Sequence, residues 1–168
     1  MIESMSDADV QRAWGKLVQD VRTGVLLTMR NGRPFGSHVP YIIGEDWTRA
    51  YLHLSRLALH TQHLLQDPQV SLFISEPDGP DKNPLALRRM NLQGDAAILT
   101  PEEPGYPAVK ASYLARFPAS AMMFGFGDFS LWELRLMDAH LVLGFGQAYQ
   151  STVSAPAKWM HQKPEQKK

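Results

Sequence analysis

The chain has 168 residues, with 17 basic and 17 acidic side chains and a sequence pI near 7.0. This length suits one well-packed domain, and the balanced charge gives no overall field that would attract nucleic acid or an anionic membrane. The absence of cysteine excludes disulfides, thiolate metal sites, iron–sulfur clusters and a cysteine nucleophile. No apolar run approaches the length of a membrane span, so we expect a soluble cytoplasmic protein with neither nucleic acid nor membrane as a partner.

The first third of the chain is predicted to form one helix followed by three antiparallel strands. Residues 6–21 begin with Ser6 as a helix cap and place a row of apolar side chains on one helical face: Val10, Trp14, Leu17, Val18 and Val21. Asn31-Gly32 is a strong hairpin signal between the first two strands. The third strand alternates apolar and polar residues and ends at Ser55.

The rest of the chain contains fewer helical segments than strands. A helix after Ser55 ends at Asp67-Pro68, a long strand carries Gly94 as a bulge or close-approach point, and Thr100 precedes another helix. A last extended block follows from Asp128. About six antiparallel strands avoid exposed edges by closing on themselves. We therefore predict a mainly β protein, an antiparallel barrel with outer helices over residues 1–150, followed by a flexible tail at 151–168.

Polar side chains crowd the junction between the third strand and the helix that follows it. Ser55 is placed to cap this helix, whose first N–H groups point towards an anion, and Arg56 adds a planar cation that matches phosphate oxygens. His60 and Thr61 lie about one helical turn further on. We predict a phosphate-sized cup here. The alternative is that Ser55 only caps the helix and Arg56 pairs with a surface carboxylate.

Two other strands carry candidate ligand-binding residues. On the second strand, Gly36 permits close backbone approach and Ser37 and His38 add polar groups, so a flat ring could lie beside it. The alternative is an edge strand kinked at Pro40. On the long strand, Arg88 and Arg89 point to opposite faces, so at most one faces a ligand. Both could instead be solvated.

Several catalytic motifs are absent from the sequence. There is no GxGxxG after a first strand, no GxxxxGK[ST] and no GxSxG, which excludes the common dinucleotide, P-loop and nucleophile-elbow sites. His60 and His63 share one helix, but no nearby carboxylate completes a ligand set, so no metal site is predicted.

Four segments together resemble the FMN-binding split-barrel family of pyridoxamine 5′-phosphate oxidase, and within it the HugZ-type haem-utilisation subgroup. They are "GVLLTMRNGRPFGSHVPYII", "LHLSRLALHTQHLLQDPQVSLFI", "RMNLQGDA" and "DFSLWELRLMDAHLVLGFGQA". This resemblance implies a six-stranded Greek-key split barrel and a homodimer with two FMN sites at its interface. It also implies site residues. Ser55, Arg56, Thr61 and His60 match the phosphate site, Gly36, Ser37, His38 and Val39 run beside the flavin ring, Arg89 adds a cation, and Gln93 and Trp132 come from the partner chain.

The resemblance also directs the functional prediction. We predict an FMN-dependent oxidoreductase acting on an unknown small molecule, with His38 as a proton donor or substrate contact. The C-terminal arginine and histidine of the true oxidase are missing, and so is the C-terminal domain of the longer haem-degrading members. Two alternatives stay open, a non-catalytic FMN-binding protein and a haem-binding or haem-degrading protein whose iron is held by His60 or His161. The aromatic and methionine residues of 117–132 could serve a dimer interface or only the core.

Overall fold

The computed structural model describes residues 4–163. Within them lie three α-helices, α1 (Asp7–Asp20), α2 (Leu59–Leu64) and α3 (Tyr106–Arg116), and two 3₁₀ segments, Pro84–Ala86 and Pro118–Gly125. The strands are β1 (Thr23–Arg30), β2 (Arg33–Pro40), β3 (Ile42–Ile43), β4 (Arg49–Ser55), β5 (Gln69–Ser75), β6 (Arg89–Leu99), β7 (Phe129–Val142), β8 (Ala148–Thr152) and β9 (Met160–His161). No helix in this part of the chain is long and apolar enough to cross a membrane.

Helix α1 forms as the sequence predicts. The Ser6 hydroxyl accepts a hydrogen bond from the backbone N–H of Asp9, which satisfies one of the free donors of the first turn. The helix buries the apolar stripe formed by Val10, Trp14, Leu17 and Val18. Because these side chains belong to the main core, α1 covers one side of the sheet.

The strands form one antiparallel sheet in the order β2-β1-β5-β6-β7-β4-β3, and in addition β8 pairs with β7 and β9 pairs with β8. Strand β3 follows β2 directly after Tyr41, so the two ends of this path are joined by one interrupted strand and the sheet curls around its core. Leu26, Leu72 and Leu92 are fully buried inside it. This confirms the prediction of a mainly β fold with a curled antiparallel sheet and peripheral helices.

The sheet has nine strands among the described residues, not the six predicted. The predicted second strand breaks at Tyr41, whose side chain is buried and whose hydroxyl donates to the carbonyl of Val21 at 2.6 Å. Strands β8 and β9 supply the other two additions. Strand β8 forms because the last predicted block turns at Gly144 and Gly146, both with positive φ, and pairs back on β7. Strand β9 then pairs with β8.

Gly94 is a close-approach point, as predicted. The register between β6 and β7 shifts between Gln93 and Gly94, which marks a bulge. A Cβ atom added at Gly94 would lie 2.0 Å from the carbonyl oxygen of Arg135, so no larger residue fits without backbone movement. The bulge lies between the two halves of the long β6–β7 ladder.

The predicted boundary at residue 150 is wrong, because it falls inside β8. Downstream of it, Trp159 is buried against Trp47, with ring centroids 6.4 Å apart, and its backbone N–H donates to the Asp7 carboxylate at 2.9 Å. Residues 151–163 therefore pack against the barrel and against the start of α1, instead of forming a separate tail. Residues 164–168 of the predicted tail lie outside the described residues.

Candidate functional site

The junction after β4 is fixed by Asp128, at the start of β7. The Ser55 hydroxyl donates to the Asp128 carboxylate at 2.7 Å, and the Arg56 backbone N–H donates to the Asp128 carbonyl at 2.7 Å. Ser55 does not cap α2, contrary to prediction. Its hydroxyl accepts from the N–H of Leu57 at 3.2 Å, and α2 begins only at Leu59, after Ala58, without a side-chain cap. The predicted phosphate cup thus contains a carboxylate and no helix start.

Arg56 and His60 are the two predicted residues at this junction that keep free polar groups without being fully buried. The Arg56 side chain is exposed, and its guanidinium forms no ion pair within residues 4–163. The His60 ring is half-buried and has no hydrogen-bond partner among the same residues. Burial, and to a smaller extent the neighbouring His63, lower the pKa of His60, so its imidazole is neutral at pH 7. A neutral imidazole is the form that ligates metals.

Thr61 and His63 face inward from α2 and belong to the interior of the barrel. Thr61 is 3% exposed, and its hydroxyl oxygen has no hydrogen-bond partner in the described part of the chain. His63 Nδ1 lies 2.9 Å from the Thr28 hydroxyl, and its ring packs edge-on against Phe35 at 5.0 Å. The His63 side chain therefore attaches α2 to β1 and β2. Arg56, by contrast, lies before the helix and is exposed.

Three exposed apolar side chains belong to the segments that meet at this junction. Leu57 is 76% exposed, Leu59 47% and Phe126 46%, and Phe126 belongs to the segment that leads into Asp128. We call Arg56, Leu57, Leu59, His60 and Phe126 the β4–α2 corner. It combines a cation, a neutral imidazole and exposed apolar surface, and exposed apolar groups with a few polar groups are typical of ligand sites.

The predicted ring-binding strand does not present its four residues together. Gly36 and His38 lie on the outer face of β2, whereas Ser37 and Val39 point to the other face, where Val39 is 2% exposed in the core. His38 is exposed and borders a groove of about 400 Å³ with Val25 and Phe73. Only the outer pair, Gly36 and His38, can contact a molecule that lies on the sheet.

The two arginines of the long strand are satisfied locally. Arg88 forms an ion pair with Glu76 at 3.0 Å and a longer one with Asp20 at 3.4 Å. Arg89 donates to the carbonyl of Leu87 at 3.0 Å. Arg89 pairs with Val142, at the opposite end of β7 from the residue that pairs with Ser55. At about 3.3 Å per residue, roughly 30 Å or more separates Arg89 from the corner of the same chain.

Gln93 and Trp132, predicted to reach the partner chain, lie in different environments. Gln93 is exposed on β6 and borders a groove of about 320 Å³ with Leu27, Met29 and Ser71. Trp132 is 3% exposed within the main core, and its indole N–H has no partner among the described residues. Of the two, only Gln93 has side-chain surface to offer another molecule.

His161, one of the two predicted iron ligands, has a structural role in this conformation. Its Nε2 lies 2.8 Å from the carbonyl oxygen of Gly146, and its ring stacks on Tyr149 at 5.1 Å. Its Nδ1 is buried and unpartnered within residues 4–163. Neither ring nitrogen is free to hold iron unless β9 moves, so His60 is the better placed of the two histidines.

Asp128 and His53 are the site residues that sequence reasoning missed. Asp128 lies 73 positions after Ser55 and meets it only because β4 pairs with β7, where Ser55 is opposite Phe129. No local sequence pattern predicts that pairing. His53 is two residues before Ser55 on the same strand, so the two side chains point to the same face. That shared face was the sequence signal that could have identified His53.

The structure is a curled antiparallel β-barrel with helices on its outside. The chain belongs to the CREG β-barrel family, whose model matches residues 6–161. This assignment refines the resemblance described above. The same fold occurs, at a TM-score of 0.58 and 14% identity, in a Listeria innocua protein provisionally named a pyridoxamine 5′-phosphate oxidase; the match covers 80% of this chain and 99% of that one.

Three relatives are named for haem. The chloroplast non-canonical haem oxygenase HOZ of Arabidopsis thaliana is 34% identical over 79% of this chain and 42% of its own length. The haem oxygenase HutZ of Vibrio cholerae is 29% identical over 79% of this chain and 75% of its own length. The structure of a haem-binding protein from Mycobacterium smegmatis matches with a TM-score of 0.76 and 30% identity, over 93% of this chain and 62% of that one. The chain thus spans less than two thirds of two of these relatives.

Proposed function

We propose that this protein binds haem at the β4–α2 corner and acts in haem breakdown. The observation that carries this proposal is that the half-buried imidazole of His60 and the exposed guanidinium of Arg56, which are close in sequence, both have no partner among residues 4–163. The haem names of three relatives support it. This was the alternative functional prediction, and it is now better supported than the FMN oxidoreductase.

The residues of the corner have the chemistry that haem requires. His60 would hold the iron, because haem is commonly ligated by a neutral histidine. Arg56 would hold a propionate, since a guanidinium donates two parallel hydrogen bonds to a carboxylate. Leu57, Leu59 and Phe126 offer apolar surface to the porphyrin. When bound, haem supplies the oxygen chemistry, and the protein supplies binding, orientation and exclusion of water.

FMN fits the same corner less well. A phosphate dianion placed at Ser55 would meet the Asp128 carboxylate, which already occupies the Ser55 hydroxyl at 2.7 Å. A phosphate and a carboxylate that share one hydroxyl would repel each other. The short α2 adds no aligned cap at Ser55 that would compensate. The FMN oxidoreductase and the non-catalytic FMN-binding protein are therefore the competing outcomes of the same experiment.

The test is an absorption titration of the purified protein with haemin and, separately, with FMN, after removal of unbound ligand. We expect a Soret band with about one haem per chain and no retained flavin. His60→Ala should remove or shift that band, and Arg56→Ala should weaken haem binding about tenfold, the effect of a lost charged hydrogen bond. His140→Ala, an exposed histidine on β7, is the matched control.

The opposite results are equally clear. Flavin bands with no Soret band would return the function to FMN. A Soret band that survives His60→Ala but disappears in His161→Ala would move the iron to the strand β9. Haem oxygenase activity is the second step of the test, measured as loss of the Soret band with an electron donor and oxygen.

We also propose that the protein is a homodimer in the cytoplasm, assembled through the outer face of β1. Val25, Leu27 and Met29 on this face are only half-buried, and the grooves of about 400 and 320 Å³ run beside them. A partly exposed apolar strip of this kind is typical of an interface. Leu27→Glu should shift the protein to monomer in light scattering. Leu65→Glu, at the exposed leucine that follows α2, should not.

A further inference from the structure

His53 lies in an aromatic box on the outer side of β4. Its ring stacks on Phe124 at 3.8 Å with an angle of 8° between the planes, and Phe129 and Tyr113 approach at 5.1 and 5.8 Å. The residue is 8% exposed. The box is formed by three separate elements: α3, the 3₁₀ segment Pro118–Gly125 and the first residue of β7.

The charged and titratable groups around His53 favour its neutral form. From α3, the ammonium group of Lys110 lies 5.0 Å from the centre of the Phe124 ring, and the Tyr113 hydroxyl is neutral because burial raises its pKa to about 12. From β4, Tyr51 is also neutral, with its pKa raised by burial. From β7, the Asp128 carboxylate is bound to Ser55. Burial, and then Lys110, lower the pKa of His53 to about 4.

The same box fixes the backbone of the β4–α2 corner. Asp128 lies between Phe124 and Phe129 in the sequence. It accepts hydrogen bonds from the Ser55 hydroxyl and from the backbone N–H of Arg56. While residues 118–129 stay packed on His53, they therefore keep the Arg56 backbone in place. If this segment moves away from His53, both hydrogen bonds of Asp128 break.

We propose that His53 is a positioning residue and an acid-sensitive latch. The neutral ring holds residues 118–129 on β4, and protonation of the ring releases this segment together with the Arg56 backbone. The link to ligand binding rests on the proposed haem function, whereas the latch itself does not. Protonation is unfavourable in the closed box because a second cation would lie across Phe124 from Lys110, out of water.

The latch can be measured without any ligand, by hydrogen exchange of the amides of residues 118–129 and of Arg56. The histidine binds protons more tightly in the open state, with an ordinary pKa near 6.5, than in the closed state. The opening equilibrium should therefore increase about twentyfold between about pH 7 and pH 5. His53→Phe keeps an aromatic ring that cannot titrate, so its opening should not change with pH. His140→Gln is the matched control and should behave like the wild type.

Two further measurements keep the proposal falsifiable if His53→Phe packs poorly. Phe124→Leu keeps the histidine but weakens the stack, so the segment should open more at every pH. The C2 proton of His53, followed by NMR in the unmodified protein, should titrate below pH 5. A His53 midpoint near 6.5, or equal pH dependence in wild type and His53→Phe, would overturn the latch.

The haem experiment then tests the consequence separately. If both proposals hold, haem affinity falls between pH 7 and 5 more steeply in the wild type than in His53→Phe. If haem does not bind but the exchange result appears, the proposed function fails and the latch stands. If haem binds and the two proteins lose affinity in parallel, the latch does not control the corner.

Discussion

Asp128 accepts the hydroxyl hydrogen bond of Ser55 at 2.7 Å and so joins the start of β7 to the end of β4. Its backbone carbonyl accepts a second bond, from Arg56. One residue thus satisfies both neighbours at the corner. The Ser55 hydroxyl, which was predicted to bind an anion, is therefore already bound to a carboxylate. The Arg56 guanidinium remains without an ion-pair partner among the described residues.

Asp128→Asn should destabilise the protein by about 1 kcal/mol. The amide oxygen can still accept from Ser55, but a charge-assisted hydrogen bond becomes a neutral one. Urea unfolding followed by circular dichroism measures the change. Asp95→Asn, at an exposed position of β6, is the control and should stay within about 0.5 kcal/mol. Equal stability of both variants would mean that the Asp128 contact contributes nothing.

Gly94→Ala should destabilise the protein by about 3 kcal/mol or more, or prevent folding. The new Cβ would lie 2.0 Å from the Arg135 carbonyl oxygen, so β6 or β7 must shift at the bulge. Gly15→Ala is the matched control, because nothing lies within 4 Å of an added Cβ in the middle of α1. That variant should gain about 0.5–1 kcal/mol from helix propensity. Thermal unfolding distinguishes the two, and a benign Gly94→Ala would contradict the close approach.

Trp159→Ala should destabilise the protein by about 3 kcal/mol, because a buried indole leaves a cavity beside Trp47. The neighbouring Met160 is 56% exposed, so Met160→Ala should change stability by less than about 1 kcal/mol. Urea midpoints from circular dichroism provide the comparison. Two variants of equal stability would restore the prediction of a flexible tail from residue 151 onwards.

The contact between Asp7 and the C-terminal strand should depend on pH. Hydrogen bonds from the Trp159 backbone and from Lys158 hold the pKa of Asp7 below its usual value of 3.8. A carboxyl with a depressed folded pKa stabilises the protein above its unfolded pKa, and that contribution is lost as pH falls through the folded pKa.

Wild type should therefore be more stable than Asp7→Asn at about pH 7, and the difference should shrink below about pH 3.8. Urea midpoints of both proteins at neutral and acidic pH measure this. Asp81→Asn, at an exposed loop position, controls for the loss of one negative charge. A difference that is the same at both pH values would show that the carboxylate charge of Asp7 is irrelevant.

The local part of the site was readable from the sequence, whereas its partners were not. Ser55, Arg56 and His60 are close together in the sequence, so their spacing alone predicts that they lie near the same junction. Arg89 failed to join them because strand length and register place it at the far end of β6. Trp132 was predicted to contribute to the site from the partner chain, but it is buried in the core, and this burial depends on how the whole sheet curls.

The sequence by itself determined α1, the Asn31-Gly32 hairpin, the strand periodicity and the special role of Gly94. Each of these depends on interactions within a few residues, or on the steric limits of one residue, which are encoded locally. Only the tertiary structure decided that β4 pairs with β7, that Asp128 reaches Ser55 and that Trp159 packs on Trp47. Those contacts join residues more than 70 positions apart. They form because the closed sheet buries a hydrophobic core to which distant segments of the chain contribute together.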